Sequence, residues 1–184
     1  MLEPYPQHQI STMATLYDIA TATVAATMVG NEIAVAAFVH PQLRKLNDNA
    51  HAQIVQPLAK VLGKAMPLWY GLALLLILGA AYEHRPLFSG SGLLVSLAAI
   101  LWVITIIFTV TMLVPINNRI ATMNPQQPYQ TWLQDRCRWD KLHRVRVELL
   151  IIAVLFLLTG LFGATAPVTL APLPLSLPAS LPRL

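Results

Sequence analysis

The chain has 184 residues, of which 56% are hydrophobic and only 11% are charged, and its formal net charge is +4. Soluble domains carry about 25% charged residues, so this deficit indicates a protein surrounded by lipid. A single cysteine, Cys137, excludes an intramolecular disulfide and a thiol pair for electron transfer. The basic residues lie beside apolar segments, where they act as topology signals, so we predict no nucleic-acid partner.

Four apolar segments are long enough to cross a bilayer, which needs about 20 helical residues. The first segment is rich in Ala and Thr and is interrupted by Glu32, which favours packing against protein over packing against lipid. The expected fold is therefore all-α, a multi-pass membrane four-helix bundle embedded in the lipid bilayer. The predicted spans are Ile19–Val39, Ala65–Tyr82, Leu93–Val114, and a segment from Leu149 that ends before Pro167.

The basic residues are distributed unequally among the connecting segments. The loop between the first and second spans and the loop between the third and fourth together hold ten of the 12 Lys and Arg residues. The positive-inside rule places these two loops in the cytoplasm and both termini outside. We therefore predict a protein of the cell membrane, which would be the inner membrane of a bacterium, with its N-terminus and its C-terminus both outside.

Prolines mark three further features of the chain. Residues 50–64 are typical of a short helix that Pro57 would kink or break, so we predict an interfacial helix in the first cytoplasmic loop. Pro115 is predicted to end the third span, with Asn117 satisfying backbone groups that the break exposes. Five prolines and a single charge predict an extended or disordered extracytoplasmic tail over residues 166–184. Residues 1–165 then form one four-span domain.

A stripe of aromatic and basic residues leads into the fourth span. It consists of Trp132, Arg136, Trp139, His143 and Arg146. The spacing of 4, 3, 4 and 3 residues places these side chains on one helix face, roughly 80° wide. A helix that only crosses lipid has no need for such a face, and flat aromatic walls suit a flat aromatic ligand. Anchoring at the membrane interface is the alternative explanation for the two tryptophans.

The other aromatic and basic residues near the spans have simpler explanations. Trp69 and Tyr70 begin the second span and are predicted to lie in the aromatic belt at the interface. Trp102 lies in the middle of the third span and is predicted to pack in the core. Three basic side chains that point away from the stripe are predicted to reach lipid head groups, namely Arg138, Lys141 and Arg144.

Glu32 is the ionisable residue deepest in a span, about 12 Å along the helix from His40. A charge there is costly, and an intramembrane acid suggests a functional site. The alternative is a glutamate that only links helices. We expect the cytoplasmic ends of the first, third and fourth spans to converge on one pocket that contains Glu32, His40, Asn117, Arg119, His143 and Arg146. An ion pair between Arg146 and Glu32 would keep both groups charged.

These considerations give a candidate set of site residues. Catalytic roles are assigned to His143, Glu32 and Arg146, and substrate binding is assigned to Asn117, Trp139, Trp132, Arg136 and His40. No cofactor is predicted. The acid and the two histidines are ligand types that suit a first-row metal, but no closely spaced pair supports such a site. A metal-dependent oxidase remains an alternative.

The segment from Pro115 to Arg146 resembles the anthrone-oxygenase-like family of small four-span membrane proteins. The motif is Pro-x-Asn at the end of the third span, a Trp in the next loop, and then Arg-x-Arg-Trp-x-x-x-His-x-x-Arg entering the fourth span. The residues that carry it are Pro115, Asn117, Trp132, Arg136, Arg138, Trp139, His143 and Arg146. The resemblance covers roughly residues 19–163. Some fungal relatives are similar to oxygenases that convert an anthrone to an anthraquinone, and many bacterial relatives have no assigned reaction.

The leading hypothesis is a protein that binds a small aromatic or quinone-like molecule in a cytoplasm-facing pocket and oxidises it. His143 or Glu32 would remove an acidic proton, and Arg146 and Asn117 would stabilise the enolate that then reacts with dioxygen. The rival hypothesis is a non-enzymatic permease or accessory subunit, and a homo-oligomer is compatible with both. The two hypotheses differ in whether the stripe encloses a cavity or packs flush.

Overall fold

The computed structural model describes the backbone of residues 7–163 and the side chains from Met13 onward in that range. Every regular element in this part of the chain is helical, and four long helices are apolar enough to cross a membrane. We call them spans one to four, and they cover Met13–Leu43, Asp48–Glu83, Gly90–Thr122 and Trp132–Phe162. The predicted tail over residues 166–184 lies outside the described residues.

The four spans form a closed ring of helices. Each span packs against its neighbours in sequence, and span four also packs against span one. The shared core contains small side chains that are fully buried, including Ala25, Ala73, Ala98 and Ala153. Small residues let helix backbones approach closely, which is how membrane helices associate where lipid provides no hydrophobic driving force. The predicted all-α, four-span architecture is therefore confirmed.

Spans one and three each contain a π-helical turn that is followed by a proline. The π turns are Val35–Val39 and Thr109–Leu113, and the prolines Pro41 and Pro115 stand two residues after them. The proline ring removes an N–H donor and crowds the carbonyl four residues earlier, and the wider turn accommodates both effects. The helix resumes after each π turn. The prediction that Pro115 ends the third span is therefore wrong, because that span continues to Thr122.

Span two is one continuous helix, Asp48–Glu83, with Pro57 and Pro67 inside it. Its N-terminus is capped by Asn47, whose side chain accepts a hydrogen bond from the backbone N–H of Ala50 at 2.9 Å. The predicted separate interfacial helix over residues 50–64 exists only as the first part of this helix, and the predicted break at Pro57 was wrong. Proline is tolerated within membrane helices because neighbouring groups satisfy the exposed backbone.

Two polar faces turn toward the inside of the ring. On span one, one helix face carries Asp18, Thr21, Ala25, Met28 and Glu32, which are buried, and Ala36, which is half-buried. On span four, the Trp132–Arg146 stripe lies on one continuous helix, and four of its members are buried while Trp139 is half-buried. These two faces meet where the candidate site forms.

Candidate functional site

The centre of the site is a buried carboxylate on span one that pairs with an arginine on span four. Glu32 is 2% exposed and Arg146 is 7% exposed. The Nη2 of Arg146 donates to Oε2 of Glu32 at 2.6 Å. The hydroxyl of Tyr70, on span two, donates to the other carboxylate oxygen at 3.3 Å. Donors from two other spans thus offset part of the cost of burying this charge.

His143 lies one turn before Arg146 and is fully buried. Its Nδ1 is 2.9 Å from Nη2 of Arg146 and 3.3 Å from Oε2 of Glu32. Its Nε2 has no hydrogen-bond partner among residues 13–163. Trp139 stacks on the imidazole with ring centroids 4.7 Å apart and planes 19° apart, which fixes the orientation of the ring. Nε2 is therefore the imidazole nitrogen whose hydrogen-bonding capacity is unused within the described residues.

A cavity of about 260 Å³ lies against these groups, with walls from all four spans. Its polar end is formed by Glu32, Tyr70, His143 and Arg146, and most of the remaining wall is apolar, including Val35, Leu62, Met66, Ile106 and Leu113. An apolar cavity of about 150 Å³ holds benzene. This cavity is thus larger than one that holds benzene, and it has polar groups at one end.

Irregular helix geometry is concentrated in the walls of this cavity. Val35 belongs to the π turn of span one, and Thr109, Val110 and Leu113 belong to the π turn of span three. Pro67 of span two lines the cavity as well. A π turn bulges the backbone and is frequent at functional sites. The prolines and π turns therefore shape the space between spans that would otherwise pack closely.

A second buried acid, Asp140, lies on span four between the stripe residues. It is 2% exposed, its Oδ1 is 2.7 Å from Nη2 of Arg136, and its Oδ2 accepts a hydrogen bond from Nε of Arg44 at 2.8 Å. Nδ1 of His40 is 3.3 Å from Oδ1. The contact between Arg136 and Oδ1 is short but poorly aligned for a hydrogen bond. We therefore treat it as an ion pair and call these four residues the Asp140 cluster.

The Asp140 cluster adjoins the cavity through contacts between aromatic rings. The His40 ring is 5.1 Å from that of His143 and 4.9 Å from that of Trp139, measured between centroids. The two neighbouring groups contain two carboxylates, on Glu32 and Asp140, and three guanidiniums, on Arg44, Arg136 and Arg146. With neutral histidines, the region carries one positive charge in excess. Within residues 13–163, no set of three or more His, Cys, Asp or Glu could hold a metal ion.

The structure brings five of the eight predicted site residues to the cavity wall. They are Glu32, Asn117, Trp139, His143 and Arg146. The other three are outside the lining: Arg136 and His40 belong to the Asp140 cluster, and Trp132 packs edge-on against His51 at 5.2 Å. These three residues therefore lie behind the cavity wall.

Sequence reasoning missed two residues of the site. Tyr70 was predicted to lie in the interfacial belt, which is wrong, because it is 5% exposed and contacts Glu32. Asp140 was not predicted, although it follows Arg136 by four residues, a spacing that predicts an ion pair on a helix. The predicted packing role of Trp102 is confirmed, since it is fully buried and its Nε1 donates to the backbone carbonyl of Tyr70 at 3.3 Å.

Four apolar spans around a cavity with a buried charged end define a multi-pass membrane protein with an internal polar site. The family model described as anthrone oxygenase matches residues 58–156, which is more than half of the chain, so the chain belongs to the anthrone oxygenase family. Comparisons with curated proteins and with solved structures find no match. The matched range includes the cavity-lining residues of spans two to four, whereas Glu32 lies before it.

Proposed function

We propose that this protein is an oxygenase that binds a flat anthrone-type ketone in the cavity and oxidises its methylene carbon to a carbonyl. The observation that carries the proposal is the Nε2 of His143, buried and without a partner in the described chain, on a residue that lines the cavity beside the Glu32–Arg146 pair. Family membership supports the choice of substrate class. Among the predicted roles, those of His143, Glu32 and Arg146 are kept as catalytic, and Asn117 and Trp139 as substrate-binding.

The first step is removal of a proton from the methylene carbon. That carbon lies between two aromatic rings and is conjugated with the ketone, so the resulting anion is delocalised as an enolate. A guanidinium can only donate, so the 2.9 Å contact with Nη2 of Arg146 makes Nδ1 of His143 an acceptor in this arrangement and leaves the ring proton on Nε2. The proposal requires the other tautomer, in which Arg146 gives up its contact with Nδ1, Nδ1–H turns to Oε2 of Glu32 at 3.3 Å, and the lone pair of Nε2 accepts the substrate proton. Glu32 orients the ring and stabilises the imidazolium that forms, and Arg146 keeps the carboxylate ionised.

A donor without a partner at the charged end of the cavity favours the enolate over the neutral ketone. The buried guanidiniums of Arg136 and Arg146 are matched by the buried carboxylates of Asp140 and Glu32, and the third guanidinium, on Arg44, is 48% exposed. The Nε of Arg146 has no hydrogen-bond partner within residues 13–163, and its side chain lines the cavity. A preorganised donor of this kind stabilises a developing oxyanion strongly in a site that excludes water. Arg146 would thus bind the enolate oxygen.

The second step is reaction of the carbanion with dioxygen. A C–O bond forms as the electron pair passes to oxygen, and the peroxide anion takes back the proton held by His143. Loss of the remaining C–H proton and cleavage of the O–O bond then give the carbonyl and water. One methylene and one dioxygen yield one carbonyl and one water, so the balance requires no reductant.

Oxygen consumption by the purified protein tests this proposal. An anthrone should be consumed with one dioxygen per molecule, at a rate above autoxidation without protein. His143→Ala should lower the rate by about 10² to 10⁴, the range for loss of a general base. His84→Ala is the matched control, because His84 pairs with Asp18 at 3.0 Å away from the cavity. No uptake by the wild-type protein, or equal rates for His143→Ala and wild type, would refute the proposal.

We also propose that the site lies in the cytoplasmic half of the cell membrane, with both termini outside. The asymmetric distribution of Lys and Arg supports this orientation. Cys137 is the only cysteine in the chain and is exposed near the start of span four. A membrane-impermeant maleimide should therefore label it only after intact cells are permeabilised. Labelling of intact cells would contradict the orientation.

A non-enzymatic permease or accessory subunit remains the rival. An accessory subunit requires no cavity, whereas all four spans line a cavity of about 260 Å³ beside the charged residues, and a permease would need such a space as well. The cavity therefore favours ligand binding over a purely structural contact with a partner protein.

A further inference from the structure

Span two lines the cavity with a residue whose backbone carbonyl lacks its helical donor. Gly63 and Pro67 both line the cavity, and Gly63 is exposed. Because glycine has no side chain, the atoms that Gly63 contributes to the wall belong to the backbone. In an α-helix the carbonyl of Gly63 would accept a hydrogen bond from the N–H of the residue at position 67. Pro67 has no N–H, so this bond is absent.

The side chains around Gly63 do not replace that donor. Leu62, Met66 and Leu113 line the same cavity and are apolar. The amide of Asn117 is close, since a Cβ added to Gly63 would lie 3.0 Å from its Nδ2. That nitrogen donates to the backbone carbonyl of Ala59 at 3.1 Å. The cavity thus has a polar corner formed by Gly63 and Asn117, separate from the Glu32–Arg146 pair.

We propose that the carbonyl of Gly63, left free by Pro67, accepts a hydrogen bond from a ring hydroxyl of the bound molecule and so fixes the position of that ring in the cavity. An acceptor in a low-dielectric cavity gains most from a ligand that carries a donor. A ligand without the hydroxyl leaves the acceptor unpaired, and sites built around a hydroxyl discriminate against such analogues. The inference rests on the proposed function for its ligand class, but it concerns binding and not turnover.

Replacement of Pro67 by alanine restores the missing N–H and so occupies the carbonyl of Gly63. Alanine is the best helix former, so the variant should fold at least as well as wild type. Pro57→Ala is the matched control, because Pro57 lies in the same helix and outside the cavity lining. The probes are 2-hydroxyanthraquinone and anthraquinone. Binding is followed by quenching of tryptophan fluorescence, since Trp139 lines the cavity.

Wild type should bind 2-hydroxyanthraquinone more tightly than anthraquinone, by about fivefold for one hydrogen bond. Pro67→Ala should abolish this roughly fivefold ratio, because the hydroxyl loses its acceptor, whereas loss of the proline's own wall contacts acts on both probes alike and leaves the ratio unchanged. Pro57→Ala should keep the ratio of wild type. Thermal unfolding of each variant confirms that it is folded.

A Pro67→Ala variant that retains the preference overturns the inference, as does equal weakening of both probes. Failure of the wild-type protein to bind either probe also overturns the inference about Gly63. The proposed function is then tested independently by the measurement of oxygen uptake. Normal binding preference without oxygen uptake contradicts the proposed function alone.

Discussion

The ion pair between Arg146 and Glu32 gives a stability prediction that can be worked from the structure. In Arg146→Leu, the Glu32 carboxylate remains buried, at 2% exposure in the intact protein, and loses its contact at 2.6 Å. Removal of one partner of a buried pair costs about 3–5 kcal/mol, because it leaves an uncompensated charge. A protein of this size loses about 2–4 °C of Tm per kcal/mol. The expected fall in Tm is therefore about 6–20 °C.

The assay is thermal unfolding of the detergent-purified protein, with a double-mutant cycle. Adding Glu32→Gln to Arg146→Leu removes the unpaired charge, so the double variant should recover more than half of the loss in Tm. Arg119→Leu is the control, because Arg119 is 50% exposed in its pair with Asp135 and such pairs contribute at most about 1 kcal/mol. A Tm for Arg146→Leu equal to that of wild type, or additive effects in the double variant, would refute the reasoning.

Three further predictions concern the cavity, the second acid and the loop before span four. A Cβ added to Gly71 or to Gly30 would meet nothing within 4 Å, and of the two glycines only Gly71 lines the cavity. Gly71→Leu should therefore fill the cavity and weaken anthraquinone binding at least about tenfold, whereas the control Gly30→Leu should leave binding unchanged. Asp140→Asn should lower Tm by about 6–20 °C, because it leaves the buried guanidinium of Arg136 without its counter-ion. An unchanged Tm would show that the Arg136–Asp140 pair does not stabilise the protein. Burial and a hydrogen bond to Asp135 raise the pKa of Tyr129 to about 12. Asp135→Asn should therefore lower the pKa of Tyr129, as measured by an NMR titration of labelled tyrosine, and an unchanged pKa would contradict this cause.

The spans and their inward faces could be predicted from sequence because they depend on local patterns. Hydrophobic length identifies a span, and the 3.6-residue period places Glu32 and His143 on faces that the structure buries. The contact between Glu32 and Arg146 could be anticipated from charge alone, since a buried carboxylate in a membrane needs a cation. Residue type and spacing were sufficient for these features.

The features that sequence reasoning missed depend on packing between distant segments. Tyr70 is typical of an interfacial belt by position, and only its contact with Glu32, 38 residues earlier in the chain, gives it a place in the site. Pro57 and Pro115 are helix breakers in isolation, but the bundle keeps both helices continuous. The tertiary surroundings override local propensity at these positions.

The central claim is that the cavity oxidises an anthrone with dioxygen through base catalysis by His143. Mass spectrometry of the product formed under ¹⁸O₂ tests this claim most directly. One labelled atom should appear in the new carbonyl and the other in water, and His143→Ala should lower the rate of labelled product to the autoxidation background. An unlabelled new carbonyl, whose oxygen would then come from water, or labelling that is equally fast without His143, would contradict the account.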